Sequence, residues 1–159
     1  MGILRLAHVD VRTPDLDLSS AYYTEVMGLQ QVQRTEDAVY LKCWDEEDHH
    51  SLRMRYHPRT GMDSFTFRVE AEDDLHEFEN RLTAYGCQIT RMSRGESVGQ
   101  GESIRFEVPS GQIMELVWDI EKTGNILGKH NPSPVPPPDM PGIAPPRMDH
   151  MLVNAEEVA

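Results

Sequence analysis

Glu46-Glu47-Asp48 runs directly into His49-His50, and carboxylates beside imidazoles are the groups that hold divalent metal ions. The run falls between two strand-like segments, however, and reads as a polar turn whose side chains face water. The acidic stretch from Glu70 to Asp74 is similar: negative charge at a helix entrance complements the helix dipole and needs no ligand. Gly95, Gly99 and Gly101 lie in GESVGQG, which has neither Walker nor dinucleotide spacing and lacks a terminal Lys-Ser/Thr, so a hairpin loop is expected. Cys43 and Cys87 are far apart and form no metal-type pair; reduced thiols are the simplest reading. No G-x-S-x-G elbow occurs, which leaves little room for Ser-His-Asp chemistry. His150, alone on a short apolar tail, reads by itself as structural or solvated. Trp44, Trp118, Phe65 and Phe67 are expected in a core or interface.

The elements that must position these side chains repeat. The first copy opens with the alternating strand Leu4–Arg12 (LRLAHVDVR), followed by a helical stretch with Leu18, Ala21, Tyr22, Val26 and Leu29 on an apolar stripe. Gly28 closes it, and the strand-like runs QQVQRT, AVYLKCW and SLRMRYH follow. The second copy opens with DSFTFRVE. A helix from about Asp74 presents Leu75, Phe78, Leu82 and Tyr85, begins with an Asp74-to-Glu77 capping pattern, and ends at Gly86. CQITRMS, SIRFEV and QIMELVW complete it, the last two turned by Pro109-Ser110-Gly111. The order βαβββ thus occurs twice, with the helix-closing glycines 58 residues apart. One such unit leaves a sheet face bare, which is the reason to expect a pair.

Composition narrows the function. Of 159 residues, 15 are Lys or Arg and 27 are Asp or Glu, for a net charge of −12. That sign argues against nucleic acid and against an anionic membrane surface as partners. No apolar run approaches the roughly 18–20 residues of a membrane span, and the N-terminus carries no signal-peptide pattern. A cytoplasmic location is expected. Between Asn131 and Pro146 eight of sixteen residues are proline, which predicts an extended connector. The expected organisation is one βαβββ module over 1–60, a second over 61–121, a Pro-rich linker over 122–146, and over 147–159 the first strand of a further module.

The paired βαβββ pattern resembles the vicinal-oxygen-chelate architecture, an α+β fold. More narrowly, VYLKCWDEEDHHSLRMRY, GMDSFTFRVE, LTAYGC, PSGQIMELVWDIEKTGN and PPRMDHMLV resemble the N-terminal half of extradiol catechol 2,3-dioxygenases. The resemblance implies Fe(II) held by two histidines and a glutamate in a second, catalytic domain, where catechol and dioxygen meet and the ring opens to a hydroxymuconic semialdehyde. Asp149-His150-Met151-Leu152-Val153 matches the opening strand of that domain, so His150 carries over as an iron ligand. The second histidine, the glutamate and the acid–base residues are expected beyond residue 159. The chain alone is then an inactive, iron-free half that packs against its own catalytic domain in a homo-oligomer.

The same architecture implies a degenerate metal position in the body. Aligning HVDVR with SFTFR puts His8 and Ser64 at the first two ligand positions and Glu115 at the third, with Arg53 at the matching place in the first copy. His, Ser and Glu bind iron poorly, and a remnant pocket in which Glu115 pairs with His8 or an arginine is the expectation. The alternative is a stand-alone vicinal-oxygen-chelate protein, either a metalloenzyme using His8 and Glu115 or a metal-free small-molecule binder.

Overall fold

The computed structural model describes residues 2–125 and 135–154; Ile126 to Pro134 of the linker and the tail after Asn154 lie outside the described residues. Both βαβββ copies are present. The first comprises β1 (Ile3–Thr13), α1 (Leu16–Ala21) continuing as a π-helical turn (Tyr22–Val26), β2 (Gln30–Arg34), β3 (Ala38–Lys42) and β4 (Leu52–Tyr56). The second comprises β5 (Gly61–Val69), α2 (Asp73–Tyr85), β6 (Ile89–Met92), β7 (Ser103–Glu107) and β8 (Ile113–Val117). No helix among the described residues is long and apolar enough to cross a membrane.

The described residues divide into two compact units, one built on 8–63, 122–125 and 135–148, the other on 2–7, 64–121 and 149–154. β1 contributes to both. In the first unit the strands run in the order β2-β3-β4-β1, antiparallel except for the parallel β4–β1 pair. In the second the order is β5-β8-β7-β6, again with one parallel pair, β5–β8. Period-2 alternation is plain in β4, where Leu52 and Met54 are buried and Arg53 and Arg55 less so, whereas β3 is buried along its whole length.

The first unit's core gathers Leu16, Leu29, Val39, Leu41, Cys43, Leu52 and Met54. Burying each large apolar side chain is worth about 1.5–3 kcal/mol. The helix that covers it does not use the expected stripe. Leu18, Tyr22 and Val26 are 70%, 51% and 48% exposed, while Leu16 is buried and Tyr23 and Met27 pack against the core. Both stripes are apolar, so periodicity could not separate them. The Asp15 N-cap, which accepts from Leu18 N at 2.9 Å, fixes where the helix starts. A wide turn, with Met27 N donating to Tyr22 O five residues back, then shifts the face presented to the sheet.

In the second unit Val69, Leu75, Ile104, Phe106 and Leu116 form the core, with Phe78 and Leu82 of α2 packed on it. Tyr85 is exposed instead. Asp74 is not the N-cap: it lies inside α2, and its carboxylate accepts from Ala71 N and Gly2 N, both at 3.2 Å. Gly86, at φ 98°, closes the helix in the left-handed conformation that a β-carbon disfavours.

The linker's described residues form a docked strap and not a free connector. Ile143 N and Ala144 N donate to Val26 O and Met27 O at 2.9 and 3.0 Å, satisfying carbonyls at the end of the first helix. Trp44 Nε1 donates to Ala144 O at 3.0 Å, and Arg147 Nη2 pairs with the buried Asp45 at 3.1 Å. A proline-rich segment has few donors of its own, but its carbonyls and remaining amides can still serve another element's unpaired groups. Residues 147–154 contain no strand.

Candidate functional site

β1 places His8 and Asp10 two residues apart on one face of the first unit. Its parallel ladder sets Val9 opposite Leu52 and Asp10 opposite Arg53, and the bond from Val9 N to Ser51 O (3.0 Å) carries the preceding residue, His50, against His8. The two rings lie 4.6 Å apart between centroids. His8 Nε2 is 3.8 Å from Asp10 Oδ1, and Arg53 Nη1 donates to Asp10 Oδ2 at 3.3 Å. His49 and His50 approach through their Nδ1 atoms at 3.0 Å, so one donates to the other. Tyr40 packs edge-on against both.

None of His8, Asp10, His49 and His50 is more than 5% exposed, which corrects the solvated-turn expectation. The cause is Glu46, a residue that sequence reasoning placed only in an acidic run. Its carboxylate accepts from Cys43 N at 2.7 Å, Ser51 Oγ at 2.5 Å and, from the strap, Met148 N at 2.8 Å. Lys122 pairs with Asp48 at the other side of the loop. Held at both sides, residues 43–51 fold inward. Burial first, then the neighbouring His8, His49 and Arg53, drive the His50 pKa well below the ordinary 6.5. Its ring is neutral near pH 7 and offers a lone pair. The ligand atoms of His8, Asp10 and His50 all lie within 4.8 Å of one another. Asp10 could have been found from its place two residues after His8 on an alternating strand; His50 does stand out beside the acidic run, but that run reads as a solvated turn.

The structure places His8 in this unit and Ser64 and Glu115 in the other. Glu115, on β8, is 1% exposed. Ser103 Oγ donates to its Oε1 at 2.7 Å, and Arg105 Nε and Nη2 donate to its Oε2 at 2.9 and 2.6 Å. Both oxygens are engaged, and a metal would have to displace these partners. Ser64 is buried on β5. His150 lies exposed on the tail, with Asp149 Oδ2 at 2.9 Å. A cleft of about 310 Å³ beside α2 includes Arg91 and Arg94, which are already paired with Glu79 and Asp119.

Comparison with known proteins fits this architecture. Residues 62–121 match the catechol 2,3-dioxygenase-like N-terminal domain family. The chain is 37% identical over 159 residues to a metapyrocatechase of Pseudomonas sp. (strain CF600), covering 99% of this chain and 52% of that protein. It is 33% identical over 153 residues to a manganese-dependent 2,3-dihydroxybiphenyl 1,2-dioxygenase of Geobacillus genomosp. 3, covering 95% of this chain and 48% of that one. Among solved structures, the 2,3-dioxygenase LapB from Pseudomonas sp. KL28 superposes with a TM-score of 0.86 at 38% identity, over 94% of this chain and 52% of LapB. The chain thus spans about half the length of the curated relatives it matches. Its two βαβββ copies and eight strands among the described residues are of vicinal-oxygen-chelate type, with residues 62–121 similar to a catechol 2,3-dioxygenase-like N-terminal domain and the chain similar to about half the length of extradiol dioxygenases.

Proposed function

We propose that this chain serves as the non-catalytic N-terminal domain of an Fe(II)-dependent extradiol dioxygenase that opens catechol or a substituted catechol to a 2-hydroxymuconic semialdehyde. The observation that carries the reading is the coverage: 99% of this chain aligns with only 52% of a metapyrocatechase. In the whole enzyme His150 is assigned as one iron ligand. The described residues do not fit an iron centre around it, since His150 is exposed and belongs to no group of three ligating side chains among them. No catalytic step is therefore derived from this chain.

The domain's own contribution is structural. It packs against the catalytic half and supplies subunit contacts in a cytoplasmic homo-oligomer. The exposed apolar residues Leu18, Tyr22 and Val26, four apart along the first helix, support such a contact surface. The test is oxygen uptake by the purified 159-residue chain, supplied with Fe(II) and catechol. No uptake and no yellow ring-opened product are expected. Turnover by this chain alone would overturn the assignment of a non-catalytic role.

A further inference from the structure

We propose that His8, Asp10 and His50 form a binding site for one divalent first-row transition-metal ion. The inference does not rest on the dioxygenase reading. It rests on three buried side chains that the fold of one unit brings together, and on the donor set that they make.

The three ligand atoms lie within 4.8 Å of one another, and each residue is 4% or 5% exposed. Around one tetrahedral ion, nitrogen and oxygen ligands at about 2.0–2.2 Å from the metal stand about 3.4 Å from one another, so the side chains must draw together by up to about 1.5 Å for the site to close. Two imidazoles with one carboxylate suit borderline cations such as zinc or cobalt(II), whereas magnesium and calcium call for oxygen donors. His49 touches the His50 ring from outside the triad at 3.0 Å, the kind of neighbour that fixes the orientation of a ligating imidazole. Two of the three ligands come from a single strand and the third from a loop tied down through Glu46, so little ordering remains for the ion to impose.

Arg53 sets the affinity. Its guanidinium reaches Asp10 Oδ2 at 3.3 Å and lies over the Tyr40 ring, while its side chain keeps 31% of its surface in solvent. A metal ion entering the triad competes with this cation for one carboxylate. Arg53 must swing outward, or share Asp10, when the site fills. Removing its charge should therefore tighten binding, which an ordinary hydrogen-bonded core would not show.

The experiment uses the tag-free 159-residue chain, stripped with a chelator and titrated with cobalt(II) alone. One cobalt per chain should survive gel filtration, with visible d–d absorption and a Tm that rises with cobalt concentration. His50→Gln and Asp10→Asn should each weaken binding about a hundredfold or more. Arg53→Met should strengthen it about tenfold, the size of a nearby like charge removed from a partly buried site. Cobalt uptake unchanged in His50→Gln and Asp10→Asn would assign the ion to surface histidines such as His57 and His76 and overturn the proposal. So would uptake well below one per chain. If circular dichroism shows that either ligand variant is misfolded, Arg53→Met decides: a gain in affinity supports the triad, and no gain refutes it.

Discussion

The two units carry the same three-strand rung with its charges rearranged. In the first, Asp10 on β1 faces Arg53 on β4, and Arg53 faces Tyr40 on β3. In the second, Thr66 on β5 faces Glu115 on β8, and Glu115 faces Arg105 on β7. The carboxylate has moved from the outer strand of the parallel pair to its inner one. Its environment has changed with it. Glu115 is gripped by a forked guanidinium and a serine at 2.6–2.9 Å, a closed arrangement. Asp10 receives Arg53 at 3.3 Å and has imidazoles for neighbours, an arrangement that can exchange. One fold thus turns the same rung into a structural ion pair in one copy and a cluster of ligating groups in the other.

The comparison predicts unequal costs. Glu115→Gln leaves Arg105 beside a neutral amide in a buried setting, and breaking such a pair typically costs 3–5 kcal/mol. Arg105 is 33% exposed and can recover some hydration, so about 3 kcal/mol is expected in urea denaturation. Asp10→Asn relaxes a longer contact to an arginine of similar exposure and should cost about 1 kcal/mol in the metal-free chain. Equal losses would erase the distinction between a closed rung and an exchangeable one.

The helix-closing glycines sharpen it further. Gly86 has φ 98°, and an added β-carbon would meet nothing within 4 Å. Gly86→Ala should cost about 1 kcal/mol, the left-handed strain alone. Gly28 has φ 78°, and the same atom would stand 2.3 Å from Pro141 O and 2.9 Å from Ala144 N. Gly28→Ala adds a backbone clash with the strap and should cost about 2 kcal/mol, part of it by undocking residues 141–144. Trp44 fluorescence reports that event, because the indole bonds to Ala144 O. An unchanged Trp44 signal in Gly28→Ala would mean that the strap does not depend on this close approach.

What was legible in the sequence follows the same division between local and distant causes. Strand patterning and the two closing glycines are local properties, and the eight strands of the two copies appear where the pattern put them, whereas the further strand expected over 147–159 is not formed by residues 147–154. His8 and Glu115 are singled out only through what the vicinal-oxygen-chelate resemblance implies about strand positions, and not from any local pattern. The first helix misled because it carries two apolar stripes and a π turn, and only the sheet beneath decides between them. His49 and His50 misled because an acidic neighbourhood normally means solvent. Their burial is caused by Glu46 bonding across the loop and to Met148, more than a hundred residues away in sequence, and no local pattern encodes that contact. The strap escaped for the same reason: proline content announces extended backbone but says nothing of the helix carbonyls it will meet.

The smallest effect concerns the thiols, one in each unit. Cys43 is buried in the first unit's core, and burial, followed by the charge of Glu46, pushes its pKa well up. Cys87 is only partly buried, beside the closing Gly86. A thiol reacts as its thiolate. Cys43 therefore stays protonated and shielded even at mildly alkaline pH, whereas Cys87 is open to reagent. Native protein treated with iodoacetamide should be labelled once, at Cys87, with no measurable loss of stability. Labelling at both sites should require denaturant. The Glu46→Ala variant makes the test discriminating, because it removes the charge and loosens the loop that covers Cys43. If native wild-type protein is labelled equally fast at both cysteines, the loop around Glu46 opens readily, and the buried cluster of His8, Asp10 and His50 would be no better sealed than the surface.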